Sequence, residues 1–396
     1  MIKILFITTS NIATNPRLLK EVQLAYSNHF DITIIQFKYG GWSAQINKDL
    51  KNNFENVCFI EISATRTPLM PWLISSIYSL FLQRLPLSFL SSKTIAYRLN
   101  KRAYLIDQHL KNIKSSFDWV IAHNLGAFYP ALRFAKRNNA KLGLDIEDYH
   151  SGESLNKKQN QLIKAHLESI LHKSDYCSFA SPLIREEILN ETVKKPKKSL
   201  LILNGFNKSE FLLEENSSSK LKLVWYSQNI DFMRGLESII PIVNNFCYDV
   251  ELTLIGNLNK DFARHFDLEN SKNIKVLKPL IQQILHSHLS SYDVGLALEV
   301  GKDRNNEIAL SNKLISYVQS GLFVLAFDTP AQRKFIIENK IEAFIIANNE
   351  ELIRKKILKL ISMKRRNKLN KIYQFQIGKQ FDWLKISDEL LQTWRC

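Results

Sequence analysis

Ionisable and polar side chains collect in this sequence where apolar runs end, and their types at those points could do chemistry. In DWVIAHNLGAF, His123 and Asn124 follow a strand-forming run. A histidine so placed can donate a hydrogen bond to a hydroxyl or hold an oxyanion; a hydrogen-bonded structural histidine is the alternative. KLGLDIEDYHSGE closes another run with Glu147, Asp148 and His150, and Glu153 follows. Ionisable groups crowded at a strand end are costly unless they have a task. TTSNIATNPRLLKEV puts Asn15, Pro16 and Arg17 at a helix start, where open N–H groups and a guanidinium favour an anion, or else form a plain cap with a solvated arginine. WYSQNIDFMRGLESII sets Arg234 and Gly235 at a strand-to-helix junction suited to a diphosphate, and ALSNKLISYVQSG opens a helix with Ser311, Asn312 and Lys313.

These residues need a scaffold that carries them to one side. Strand-like runs occur at 2–8, 31–37, 56–62, 118–124, 141–147, 176–181 and 199–205, with helical patterns such as 17–27 between them. A basic KKPKK and a polar ENSSSK interrupt the pattern between 191 and 222, with NGFN between them. A second series follows at 221–227, 250–256, 273–280, 292–299, 322–328 and 343–348. Two α/β series in succession predict two Rossmann-like domains facing across a cleft, and such sheets bind ligands beyond their strands' carboxyl ends. The expected division is 1–205, 206–375 and a crossover helix at 376–396 that returns to the first domain.

Composition excludes other classes. Hydrophobic residues make up 45% and charged residues 23%, as in ordinary globular proteins. Cys58, Cys177, Cys247 and Cys396 lie far apart with no zinc-ligand spacing, which reads as reduced thiols. MIKILFITTS shows neither a basic n-region nor a small-residue cleavage site, so a cytoplasmic location is expected. The net charge of +16 calls for an anionic partner, unless it reflects a bias towards lysine. No phosphate-cradling G-x-x-x-x-G-K-[ST] loop is present, which argues against a nucleic-acid motor, and no nucleic-acid partner is expected.

With both halves in place, the sequence resembles the GT-B glycosyltransferases, in particular the large retaining group numbered family 4. The resemblance spans nearly the whole chain. It rests on NPRLLKE, the V-I-A-H strand end, NGFN, RGLESII and SNKLISYVQSGLFVLAF in their order and spacing, and FDWLKISDELLQTW looks like the crossover helix. It implies a phosphate-activated, nucleotide-type sugar donor and a saccharide or lipid-linked acceptor. It also implies retention of configuration, no cofactor and no metal ion, in cell-surface polysaccharide or lipopolysaccharide assembly. His123 would contact the donor sugar, Arg234 and Lys313 would contact the donor phosphates, Gly235, Ser311, Asn312 and Ser316 would complete the donor-binding set, and Asp148 or Glu153 would assist proton transfer. Asn15, Arg17, Asn124 and His150 fall on the acceptor side. The D-I-E-D segment at Asp145, Glu147 and Asp148 departs from the metal-binding D-x-D of the other glycosyltransferase fold.

Two departures stand out. The family's ribose-binding glutamate, five residues before Gly321, is replaced by Ser316, and Tyr226 and Ser227 occupy the place of a glycine–arginine pair. Glu299 and Glu307 reproduce the family's glutamate spacing but out of register with Gly321, and the match is taken as accidental. A catalytically silent GT-B binding or scaffold protein is the alternative these departures raise.

One further segment lies outside that pattern. Residues 66–104 combine apolar and aromatic residues, among them Trp72, Tyr78, Phe81 and Phe89, with Lys93, Arg98, Lys101 and Arg102. Pro71, Gln83, Arg84 and Pro86 interrupt a spanning helix, so the segment predicts either helices completing the first domain's core or peripheral contact with an anionic membrane surface.

Overall fold

Strands buried on both faces must be apolar along their whole length, which is why KILFIT, WVIAH and KLGLDI become the middle of a parallel sheet. The structure, a computed structural model, describes residues 1–86, 89–154, 156–214 and 218–396, and only the backbone of Trp42. Two units divide the chain, Met1–Ile202 with Ser387–Cys396 and Leu203–Ile386.

The first unit holds β1 (Lys3–Thr8), β2 (Asp31–Lys38), β3 (Cys58–Ser63), β4 (Trp119–His123), β5 (Lys141–Ile146), β6 (Tyr176–Phe179) and β7 (Ser199–Leu201). All pair in parallel, in the order β3-β2-β1-β4-β5-β6-β7. The second holds β8 (Leu221–Ile230), β9 (Val250–Leu258), β10 (Ile274–Leu277), β11 (Val294–Ala297), β12 (Phe323–Phe327) and β13 (Ala343–Ile346), also parallel, in the order β10-β9-β8-β11-β12-β13. Each strand coincides with an apolar run expected from the sequence, so the two-sheet α/β fold class holds. In each sheet the order reverses once, between β1 and β4 and between β8 and β11, and such reversals are where a parallel sheet opens a crevice.

Helix starts follow the side chains that cap them. Asn15 accepts the Leu18 N–H at 2.9 Å and Pro16 follows at the first helical position, opening the helix Pro16–Ser27. The helix expected to continue from Gly235 is broken, because Pro241 cannot donate into a helix interior. A single 3₁₀ turn, Leu236–Ser238, is followed by the short helix Ile240–Asn244. Among the described residues no helix is long and apolar enough to cross a membrane.

The last helix, Asp388–Arg395, belongs to the first unit, whereas residues 376–386 of the expected crossover segment fall in the second. Trp394 is buried there edge-on to Phe6 and Phe30; its indole donates to Tyr176 Oη at 3.0 Å, and its carbonyl accepts the Trp119 indole at 2.9 Å. Trp394→Ala removes this ring and both of its aromatic partners' packing, so it should destabilise the first unit by about 3–5 kcal/mol in urea unfolding. An unchanged midpoint would mean that the last turn adds nothing to that core.

Candidate functional site

In the second unit the residues that could hold phosphate meet at the reversal between β8 and β11. After β8 the chain turns back at Met233 and Gly235, both with positive φ. A Cβ on Gly235 would stand 2.7 Å from the Leu298 carbonyl, so only glycine lets this turn press against the exit of β11. Arg234 is thereby set beside Glu299, and both line a cavity of about 240 Å³ with Asn229, Asp231, Lys302 and Asn306. Lys313 Nζ lies 2.7 Å from Glu299 Oε1, which also accepts the Ser311 hydroxyl at 2.8 Å. Burial pushes the Glu299 carboxyl up, but Lys313, Ser311 and the charge of Arg234 more than offset this and hold it below the usual carboxylate range.

The structure thus brings Arg234, Gly235, Ser311 and Lys313 together, while Asn312 is exposed on the first turn of the helix Asn312–Gln319. The phosphate-favouring helix terminus expected at Arg234 is not there, since the chain beyond it makes one 3₁₀ turn; the guanidinium carries that position alone. Glu299, taken as accidental in the sequence, is the centre of the cluster. The available signal was its place directly after the apolar run of β11. Ser316 is fully buried, and its hydroxyl donates to the Lys313 carbonyl at 2.9 Å, which leaves Tyr226 as its donor at 2.7 Å. The two departures from the family pattern are therefore in contact.

The reversal in the first unit is occupied differently. Arg17 is not at an anion-accepting surface: it is 1% exposed, with Nε 2.7 Å from both Asp145 oxygens and Nη1 donating to the Ile202 carbonyl at 2.5 Å. An arginine in the first helical turn with an aspartate at the end of β5 within reach gains more from that pair than from solvent. His123 is likewise fully buried, with Nε2 3.1 Å from Glu21 Oε2 and Nδ1 3.3 Å from Asp145 Oδ2. A ring enclosed in this way does not face a sugar, which corrects the role expected for it.

Burial opposes a proton on His123, but Glu21 and the neighbouring carboxylates raise its pKa well above the ordinary imidazole value. Burial pushes Asp145 up too, yet Arg17, His123 and the Ser178 hydroxyl hold it at about 2. Glu21, His123 and Asp145 offer atoms within 4.8 Å of one another, a spacing that could ligate an ion. Arg17 already takes both Asp145 oxygens, so an ion would have to displace it.

The remaining first-unit candidates are more accessible. Asn124, at positive φ, accepts the Thr8 hydroxyl at 2.7 Å. His150 Nδ1 lies 3.1 Å from Glu153 Oε2; burial works against its proton, but Glu153, Asp148 and Glu147 raise its pKa. Asn15, by contrast, is buried, with its Oδ1 taken by the capping bond.

No family model matches the sequence, and no curated protein matches it. Solved structures do match over the whole chain. A glycosyltransferase from Rickettsia africae is 15% identical, with a TM-score of 0.67, covering 100% of this chain and 98% of that one. Sucrose-phosphate synthase from Thermosynechococcus elongatus is 12% identical, with a TM-score of 0.68 over 100% and 98%. Anabaena HepE, solved with UDP and glucose, is 12% identical, with a TM-score of 0.66 over 99% of each chain. The chain therefore has the GT-B fold of these glycosyltransferases.

The buried network sets the acid stability of the first unit. Asp145 titrates at about 2 when folded against an ordinary 3.8, so its contribution is complete above 3.8 and is lost as pH falls through about 2. His123 has the opposite sign: its contribution is complete below its ordinary 6.5 and is lost only as pH rises through its raised folded value. Asp145→Asn strands Arg17 and should cost about 3–5 kcal/mol at neutral pH. In urea unfolding at a series of pH values it should also flatten the acid decline; an unchanged acid slope would mean that Asp145 is not the group responsible.

Proposed function

We propose that this chain is a glycosyltransferase that moves a sugar from a nucleoside-diphosphate donor to a saccharide or lipid-linked acceptor in cell-surface polysaccharide assembly. The reaction is metal-independent and retains configuration at the transferred carbon. The observation that carries this reading is the convergence of Arg234, Lys313 and Ser311 around Glu299 beside a cavity of about 240 Å³ at the reversal of the second sheet. The UDP and glucose bound by the Anabaena protein of the same fold support the donor class.

In this reading the second unit binds the donor. The bond from the sugar's anomeric carbon to the diphosphate breaks, a bond from that carbon to the acceptor oxygen forms, and the acceptor proton passes to the departing phosphate oxygen. Arg234 and Lys313 stabilise the charge that develops on that phosphate, which makes a metal ion unnecessary. Glu299, kept ionised by Lys313, accepts hydrogen bonds from sugar hydroxyls. The first unit serves the acceptor through Asn124 and His150, with Asp148 or Glu153 assisting proton transfer. A lipid-linked acceptor fits a cytoplasmic protein working at the inner face of a membrane.

The Tyr226–Ser316 contact favours a second reading, a catalytically silent GT-B protein that binds without transfer. Hydrolysis of a UDP-sugar in the absence of acceptor separates the two, since only the enzyme releases free sugar.

Removing one charge-assisted contact of about 1.5–3 kcal/mol corresponds to roughly 10- to 100-fold in affinity. Arg234→Ala and Lys313→Ala should each weaken UDP binding by that amount in calorimetry, with unfolding midpoints close to the wild type. Unchanged affinity in both variants would remove the phosphate site from this crevice. EDTA should leave turnover intact; activity abolished by EDTA and restored by magnesium or manganese would contradict the cation-based mechanism.

A further inference from the structure

The helix Leu69–Gln83 is built inside out. Its buried side chains are Ser75, Ser79 and Leu82, while Met70, Leu73, Ile74, Ile77, Leu80 and Phe81 stand 38% to 63% exposed. Those six positions fall at helical spacing on one continuous face. The serines face the helices Ser92–Leu99 and Lys101–Lys111, against which this helix packs, and Tyr78 meets Tyr97 and Tyr104 edge-on. A soluble surface helix carries the reverse pattern, so the outward stripe needs something to cover it.

Charge identifies the cover. Acidic residues number 38 in 396, about one in ten, yet residues 62–106 contain none. Arg98, Lys101 and Arg102, the cations expected to face a membrane, turn inward. Arg98 donates to the Leu82 and Leu85 carbonyls, Lys101 donates to Ser76 and lies over Trp72, and Arg102 donates to the Thr9 carbonyl. The cations that stay exposed are Arg84 at the helix end, Arg66 before the helix, which lies over Trp72, and Lys93 beyond it, which lies over Tyr97. Arg84 continues the apolar stripe by a further turn, and Phe89, 77% exposed, lies near it in sequence; Leu87 and Ser88 lie outside the described residues.

We infer that the outward face of Leu69–Gln83, with Arg66, Arg84 and Lys93, docks the first unit onto an anionic lipid bilayer. The helix has 15 residues, about 22 Å at 1.5 Å per residue, too short to span a hydrocarbon core of about 30 Å. It lies in the interface, with its apolar side chains among the acyl chains and its cations at the headgroups. A second copy of the chain fits less well, because each copy carries a net charge of +16 and would bring the same cations face to face. The docking stands apart from the transferase reading, and its test measures no turnover.

The test is flotation with phosphatidylcholine vesicles, with and without about one third phosphatidylglycerol. Wild type should partition at least tenfold more strongly onto the anionic vesicles and be released by salt. Ile77→Glu with Phe81→Glu changes only exposed side chains and should lower partition at least tenfold, with circular dichroism and the unfolding midpoint unchanged. Arg84→Glu with Lys93→Glu should remove the preference for anionic lipid. Wild-type binding to neither vesicle, binding that ignores the Glu pair at 77 and 81, or a dimer in light scattering that this pair dissolves would each overturn the inference. The last result would assign the stripe to a second copy.

Discussion

Two carboxyl groups withdrawn from water must find partners where they stand, and the first unit is organised around that requirement: Arg17, His123 and Ser178 hold Asp145 ionised, whereas burial outweighs His123 and Arg17 at Glu21 and raises its carboxyl. Asp145 ends β5, and Glu21 lies inside the helix Pro16–Ser27; Arg17 from that helix and His123 from the end of β4 answer them. Ser178 on β6 adds its hydroxyl to Asp145 at 2.6 Å, and the Ile202 carbonyl takes the other arm of Arg17. One network thus ties the first helix, three strands and the chain beyond β7 at the carboxyl edge of the sheet. Its members are the polar residues that a ligand would otherwise use. In the next layer out, Asn124, Asp148, His150 and Glu153 retain access to solvent.

The second unit meets the same geometry with a different balance. Glu299 is only partly withdrawn from solvent, its cations reach it from two separate turns, and a cavity remains beside it. Tyr226 and Ser316 complete that contrast. A tyrosine beside a glutamate at 316 would force a carboxylate against a buried phenol ring, whereas a glycine at 226 beside Ser316 would leave a void and an unsupported hydroxyl. Tyrosine with serine fills the volume and satisfies both hydroxyls. The carboxylate in this crevice is then supplied by Glu299 at the end of β11.

The strands were legible because strands buried on two faces spell continuous apolar runs, and the turn residues between them mark each end. Side-chain partners were not. Arg17 and Asp145 are 128 residues apart, and nothing local to either distinguishes a buried pair from two solvated ends. Glu21 carries no local signal within LLKEVQLA, since a mid-helix glutamate ordinarily faces water. The break after Gly235 was legible in principle, because Pro241 stands in the expected helix. Glu299 is out of register with the motif whose spacing it reproduces, and its position at the end of a buried strand is the physical signal that marks it.

The charge excess acquires two distinct meanings once the side chains are placed. At Arg234 and Lys313 the cations surround a carboxylate beside a concave space, which suits a small anion that also carries hydroxyl donors. Arg66, Arg84 and Lys93 are exposed before, at the end of and beyond the helix that carries the apolar stripe, and residues 62–106 contain no carboxylate to turn a headgroup away. A free phosphate has no use for the apolar stripe, and a bilayer has no way into the cavity. On the two proposals, the same surplus of positive charge would select different partners according to what lies between the cations, a carboxylate in the second unit and exposed aliphatic side chains in the first.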